Sequence, residues 1–166
     1  MDIIKQIKLV PVMKAMASSE GRNLEIVNFV LQSITAGRNT LVLSDLRDHL
    51  TRLFQMLANQ GVPGNEIGYY VGGMSQQELK LTKTRRTVLG TFKMCSTGTD
   101  VPHWDTLVLT MPHADVKQSV GRVLRFANEK REPVILDLVD HEPIFNGFHM
   151  ARMKQYYELG ATIVKM

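Results

Sequence analysis

Short apolar runs punctuate the chain at Thr40–Ser44, Ile67–Val71, Thr87–Phe92, Thr106–Thr110 and Pro133–Val139. Each is nearly continuous in aliphatic and β-branched residues and does not alternate with polar ones. That is the pattern of strands buried on both faces, as in a parallel sheet. Between these runs the apolar residues recur at helical spacing. Leu24, Val27, Val30, Leu31 and Ile34 form one stripe over Leu24–Ala36, and Leu46, Leu50, Leu53, Phe54 and Leu57 form another over Leu46–Asn59. Asp45 stands where a helix cap would, and Asn59–Gly64 reads as the turn that ends the second helix. Strands alternating with helices predict an α/β fold with right-handed crossovers. Ile3–Val12 is expected as a further strand, Ile144–Leu159 as a last helix and Thr162–Lys165 as a final edge strand.

Composition narrows the class. The chain has 166 residues, of which 44% are hydrophobic and 22% charged, enough for one domain with its own core and unlike a disordered segment. One domain over 1–166 is expected, since no repeat, low-complexity tract or linker composition divides it. No run approaches the ~18 apolar residues of a membrane span, and the first residues lack the apolar stretch of a secretory leader, so an intracellular protein is expected. Cys95 is the single cysteine, which excludes an internal disulfide framework and a cysteine-based zinc cluster. The histidines at 49, 103, 113, 141 and 149 show no ligand spacing, and no metal site is expected among them. The ten methionines read as core filler.

Net charge is +4, a mild basic bias common among soluble enzymes. Its distribution says more, because Lys80, Lys83, Arg85 and Arg86 crowd one stretch and Lys93 follows. A solvated helix face with its exit loop is the ordinary reading of such a run. Contact with a nucleic-acid strand is the other, with Ser44 and Arg47 expected on neighbouring loops.

In open parallel sheets, ligands bind beyond the carboxyl ends of the strands. Two of those ends are chemically unusual here. Thr87–Phe92 is followed by Lys93-Met94-Cys95-Ser96-Thr97-Gly98-Thr99-Asp100-Val101-Pro102, and Thr106–Thr110 by Met111-Pro112-His113-Ala114-Asp115. Asp115 is placed to cap a helix over Val116–Ala127. At about 100° per residue, Gln118, Gly121, Arg122 and Arg125 share one narrow arc of that helix, opposite Val116, Val120, Val123, Leu124 and Ala127. The apolar arc is explained by packing on the sheet. Gly121 costs the helix about 1 kcal/mol relative to alanine. Two forked guanidinia one turn apart suit a multiply charged oxyanion such as phosphate. A solvated basic face remains the competing reading of this segment alone.

Gln118-Ser119-Val120-Gly121-Arg122-Val123-Leu124-Arg125 resembles the Q-x-x-G-R-x-x-R sixth motif of superfamily-2 helicases. The segment Val88–Pro102, with its strand, Thr91 and Gly98-Thr99-Asp100-Val101-Pro102, resembles their fifth motif. Thr40–Arg47 is similar to the fourth, and Val71-Gly72-Gly73-Met74-Ser75-Gln76-Gln77 to a Gly-Gly segment after the next strand. The resemblance runs from about Thr40 to Asp140 and looks nearest to DNA helicases of bacteriophages and large DNA viruses.

What the resemblance implies is a second, C-terminal RecA-like domain. Its fold is a three-layer α/β sandwich with a central, mainly parallel sheet flanked by helices. ATP and Mg²⁺ would be held mainly by an N-terminal RecA-like domain absent from this chain. Arg125 would be the arginine finger, with Arg122 sharing the phosphate or tying the finger to the partner domain. Gln118 would orient the helix or a water, Asp100 would accept from the ribose or an arginine, and Gly98 would allow close backbone approach. Ser44, Arg47, Gly72, Gly73 and Thr91 would contact the strand, DNA first and RNA second. The family often has a charged residue where Thr97 stands, and His103-Trp104 is bulkier than usual, read as a packing anchor.

The chain has no phosphate-cradling loop of its own. None of its glycines is followed by lysine, so G-x-x-x-x-G-K-[ST] is absent, and no aspartate precedes a glutamate. The isolated, monomeric domain is therefore expected to be inactive towards ATP. A non-catalytic nucleic-acid-binding module with the same fold is the alternative. A free-standing dinucleotide enzyme lacks its G-x-G-x-x-G, and a serine hydrolase its G-x-S-x-G.

Overall fold

The computed structural model describes residues 3–97, 103–126 and 131–166, except for the side chains of 3–8 and 124–126. The elements run α1 (Ile3–Ser18), α2 (Glu20–Thr35), β1 (Thr40–Ser44), α3 (Arg47–Asn59), β2 (Ile67–Tyr70), α4 (Gln76–Thr82) and β3 (Thr87–Thr91). They continue with α5 (Phe92–Ser96), β4 (Thr106–Leu109), α6 (Lys117–Phe126), β5 (Val134–Asp137), a 3₁₀ turn at Pro143–Phe145 and α7 (Asn146–Glu158). Among the described residues five strands form one sheet in the order β2-β3-β1-β4-β5, with each pairing parallel.

Strand alternation divides the core in two. Val42 pairs in register with Leu89 on one side and Val108 on the other, and all three face a layer made by Ile26, Val27 and Val30 of α2 with Leu50, Leu53 and Leu57 of α3. Leu41, Leu43, Val88, Leu107 and Leu109 face the opposite layer, built by α1, α4, α5, α6 and α7. Helix, sheet and helix make the three-layer sandwich expected. β1 is buried throughout, as its unbroken apolar run requires, whereas β5 at the edge is only half-buried.

Two expected strands are corrected. Ile3–Val12 is part of α1, because Leu9, Val12, Met13, Met16 and Ala17 fall at helical spacing and pack together on the core. Thr162–Lys165 forms no strand and is exposed, the chain having left α7 through Gly160 at φ +74°. Asp45 does not cap α3. Leu46 occupies that position without a side-chain cap, and its N–H goes to Ser44 Oγ at 3.1 Å. Asp115 acts nearer to expectation, its Oδ1 accepting the Lys117 N–H at 3.3 Å where α6 begins. Trp104 is buried in the core, as its reading as a packing anchor requires.

Candidate nucleotide and nucleic-acid site

Because the strands are parallel, their carboxyl ends share one edge. Ser44, the Gly72–Gly73 turn, Thr91 and the loop from Thr110 to Val116 all lie along it. β1 is followed by α3 on the way to β2, and β4 by α6 on the way to β5, so the connections part in opposite directions between β1 and β4. That is the topological switch point where open sheets hold their ligands. Here His113 Nδ1 lies 3.4 Å from Asp45 Oδ2, and the imidazole lies flat on Phe92, with centroids 4.1 Å apart and planes within 4°.

α6 and α5 meet beside this point. Val116, Val120 and Val123 are buried against the core, while Gln118 is exposed and Gly121 and Arg122 are half-buried, as the helical arcs predict. Arg122 donates from Nη1 to the Cys95 carbonyl and from Nη2 to that of Ser96, the latter at 3.4 Å. Carbonyls at a helix end have no intrahelical partner, and a guanidinium satisfies them with charge-assisted bonds. Thr91 starts α5, its Oγ1 accepting the Met94 N–H at 3.4 Å. The fifth- and sixth-motif segments are thus joined by direct hydrogen bonds. Burial pushes the Cys95 thiol up to about 12 against an opposing pull from Arg122, which keeps it protonated and inert. Gly98 and Asp100 lie outside the described residues, as does the side chain of Arg125.

Towards the other end of the edge, Arg47 Nη2 donates to the Gly72 carbonyl at 2.5 Å. A Cβ on Gly72 would stand 3.1 Å from that nitrogen, and Gly73 has φ +84°, a conformation other residues rarely adopt. The turn is therefore shaped by glycine and pinned by an exposed arginine. Arg47, Gly72, Gly73 and Thr91 all lie at this carboxyl edge.

Ser44 lies at the same edge, but its side chain is wholly buried. Its oxygen accepts from Leu46 N–H, and its hydroxyl donates to His49 Nδ1 at 3.0 Å. The expected strand contact from Ser44 is corrected accordingly. The basic run is corrected too. α4 leaves the carboxyl end of β2 and returns the chain to the amino end of β3, so Lys83, Arg85 and Arg86 sit across the sheet from Arg47. There Arg86 O accepts from Thr40 N–H, and Arg85 bonds the Asn65 carbonyl.

No family model matches the chain. The putative ATP-dependent RNA helicase L396 of Acanthamoeba polyphaga mimivirus is 32% identical to it over 119 residues, covering 72% of this chain. The chain spans only 23% of that relative's length. Among solved structures, T4 UvsW matches with TM-score 0.70 at 19% identity, over 89% of this chain and 34% of its own. Mss116p DEAD-box helicase domain 2, solved bound to an RNA duplex, matches with TM-score 0.56 at 15% identity, over 73% of this chain and 49% of its own. At those identities the two structures show the fold, that of a RecA-like helicase domain, and the viral relative carries the kinship.

The chain is related in sequence to a viral helicase, and its fold is that of the C-terminal RecA-like domain of superfamily-2 helicases.

The fold also joins residues that spacing alone did not bring together. His49 Nε2 donates to Asn23 Oδ1 at 2.8 Å, and Asn23 Nδ2 donates to the Ala17 carbonyl at 2.8 Å. With Ser44 these form a buried line of hydrogen bonds running from α2 to the turn that carries Arg47. The order resembles a nucleophile triad, yet Ser44 and His49 are both shut away from any substrate. Burial, with Arg22 and Arg52 nearby, lowers His49 to about 4, so the ring is neutral near pH 7 and holds one donor and one acceptor. The signal was available in part: Ser44 and His49 are five apart, across a strand-to-helix turn. Asn23 offered none.

Among the described residues no group of three or more His, Cys, Asp or Glu converges as a metal site, and no helix is long and apolar enough to cross a membrane.

Proposed function

We propose that this helicase domain is one half of an ATP-driven nucleic-acid translocase, completing a nucleotide cleft whose other half is a Walker-bearing RecA-like domain. The observation that carries the reading is the joining of α6 to α5 through Arg122. It places the Q-x-x-G-R-x-x-R face beside the Thr91 segment on the carboxyl edge. Arg125, one turn beyond Arg122, is the finger that neutralises charge growing on transferring phosphoryl oxygens. Arg122 keeps the helix in register with α5, and exposed Gln118 faces the cleft. Gly98 and Asp100 would meet the nucleotide from the far side.

The donor chemistry of this face fits phosphate: forked guanidinia and an amide, with no carboxylate among its described members. It does not fit Mg²⁺, which takes oxygen ligands, and the proposal leaves the ion to the partner domain. ATP bound there supplies the phosphoryl bond whose cleavage drives movement. The strand lies along the same edge, met by Arg47, by the Gly72–Gly73 backbone and by Thr91, whose hydroxyl hydrogen can be given to a phosphate oxygen. Such contacts read backbone and not base. DNA is proposed ahead of RNA, although the mimivirus relative carries the name of a putative RNA helicase.

Affinity for mixed-sequence oligonucleotides should therefore fall steeply with salt. On single strands the slope of log K against log salt is about −0.7 per phosphate neutralised, and Arg47→Ala should flatten it by about that amount. Fluorescence anisotropy across a salt series measures both. A salt-insensitive affinity, or a slope unmoved by Arg47→Ala, would remove Arg47 from the strand path.

A further inference from the structure

α7 is more than the last cover of the sheet. Its inward face reaches the loop between β4 and α6 through Arg152 and Gln155, and the end of β5 through Arg152 and Tyr156. Arg152, only 2% exposed, donates from Nη1 to the His113 carbonyl at 3.2 Å and from Nε to Asp137 Oδ2 at 2.8 Å. Tyr156 Oη donates to the same Asp137 oxygen at 2.8 Å. Gln155 uses both ends of its amide: Nε2 donates to the Ala114 carbonyl at 2.8 Å, and Oε1 accepts the Val116 N–H at 2.9 Å.

A side-chain amide that both gives to and takes from two backbone groups of one loop fixes that loop in position and in rotation. Val116 is the residue whose carbonyl takes the first helical bond of α6, from Val120 N–H. The direction of α6 is thus set at its origin by α7. A buried arginine–aspartate pair contributes little net stability against an apolar replacement, and its better attested use is to specify geometry. The arginines of α6 stand six and nine residues beyond Val116, so a small rotation at the helix start is carried along to them.

We propose that Gln155 and Arg152 are positioning residues that hold α6 in the orientation its arginines need at the nucleotide. The proposal rests on the reading of Arg125 as the finger. Arg152→Met strips Asp137 of its cation and risks unfolding the chain, so the test uses Gln155→Leu, which keeps the bulk and removes both amide bonds.

Amide hydrogen exchange is read first on the 166-residue chain. The amides at the start of α6 should exchange about tenfold faster in Gln155→Leu, as loss of one or two hydrogen bonds allows, while those of β1 and β3 stay at their wild-type rates. In the chain assembled with its Walker-bearing domain, the same variant should lower kcat for ATP by roughly tenfold to a hundredfold with KM nearly unchanged, the signature of a misplaced catalytic group. A merely structural role would speed exchange everywhere in parallel, and that result overturns the proposal. Turnover lost in Arg125→Ala but untouched in Gln155→Leu also overturns it, leaving the finger intact. Turnover untouched in both variants refutes the finger reading, and the proposal falls with it.

Discussion

Arg125→Ala in the assembled motor is expected to cut ATP turnover by about 10³-fold or more while ATP affinity changes little. An arginine finger acts on charge that grows in the transition state, so its removal raises the barrier without a matching loss of ground-state binding. Arg125→Lys should be nearly as damaging, since an ammonium is a point charge and cannot reproduce two parallel N–H donors on adjacent oxygens. Single-turnover hydrolysis and equilibrium binding of a nucleotide analogue separate the two quantities. If binding and turnover fell together, Arg125 would be a ground-state ligand and the finger would have to be sought elsewhere on the same arc.

The second large effect concerns stability below neutral pH. Unfolded, His49 takes up a proton near its ordinary value of 6.5; folded, burial among Asn23, Ser44 and the two nearby arginines lowers that to about 4. Between these values the unfolded chain binds the extra proton, so the stability this site confers is fully present above pH 6.5. It is lost as pH falls towards 4. The gap amounts to about 3 kcal/mol, a large share of a small domain's stability. Urea unfolding at pH 7.5, 6, 5 and 4 should show the fall in the wild type. His49→Gln, less stable at pH 7.5 for want of the buried line of bonds, should show a shallower one. Equal slopes in the two proteins would mean that the acid sensitivity arises elsewhere.

The sheet was legible because its strands are doubly buried. Thr40–Ser44, Thr87–Thr91 and Thr106–Leu109 can be apolar along their whole length only between two helical layers. The α6 arcs were legible for a related reason, since one helix face must meet the sheet and the other is released for chemistry. α1 was misread because its apolar residues come as adjacent pairs, and pairs satisfy a strand and a helix equally until a partner layer exists. The placement of Lys83–Arg86 beside Ser44 and Arg47 failed on geometry and not on chemistry: a run of basic residues does not say which edge of the sheet a crossing helix ends on. The Asn23–His49 bond and the Gln155 clamp join residues 26 to 41 positions apart through polar side chains on otherwise ordinary helices. No periodicity marks such residues, and only the fold brings them together.

The central claim is that these residues supply the arginine half of a composite ATP site and not a whole one. Its most direct test is a steady-state ATPase assay on the purified chain with saturating single-stranded DNA or RNA, alone and mixed with its Walker-bearing domain. The account predicts no turnover above background from the chain alone and strand-stimulated turnover in the mixture, lost again with Arg125→Ala. Turnover by the chain alone at the rate of a complete motor would contradict it.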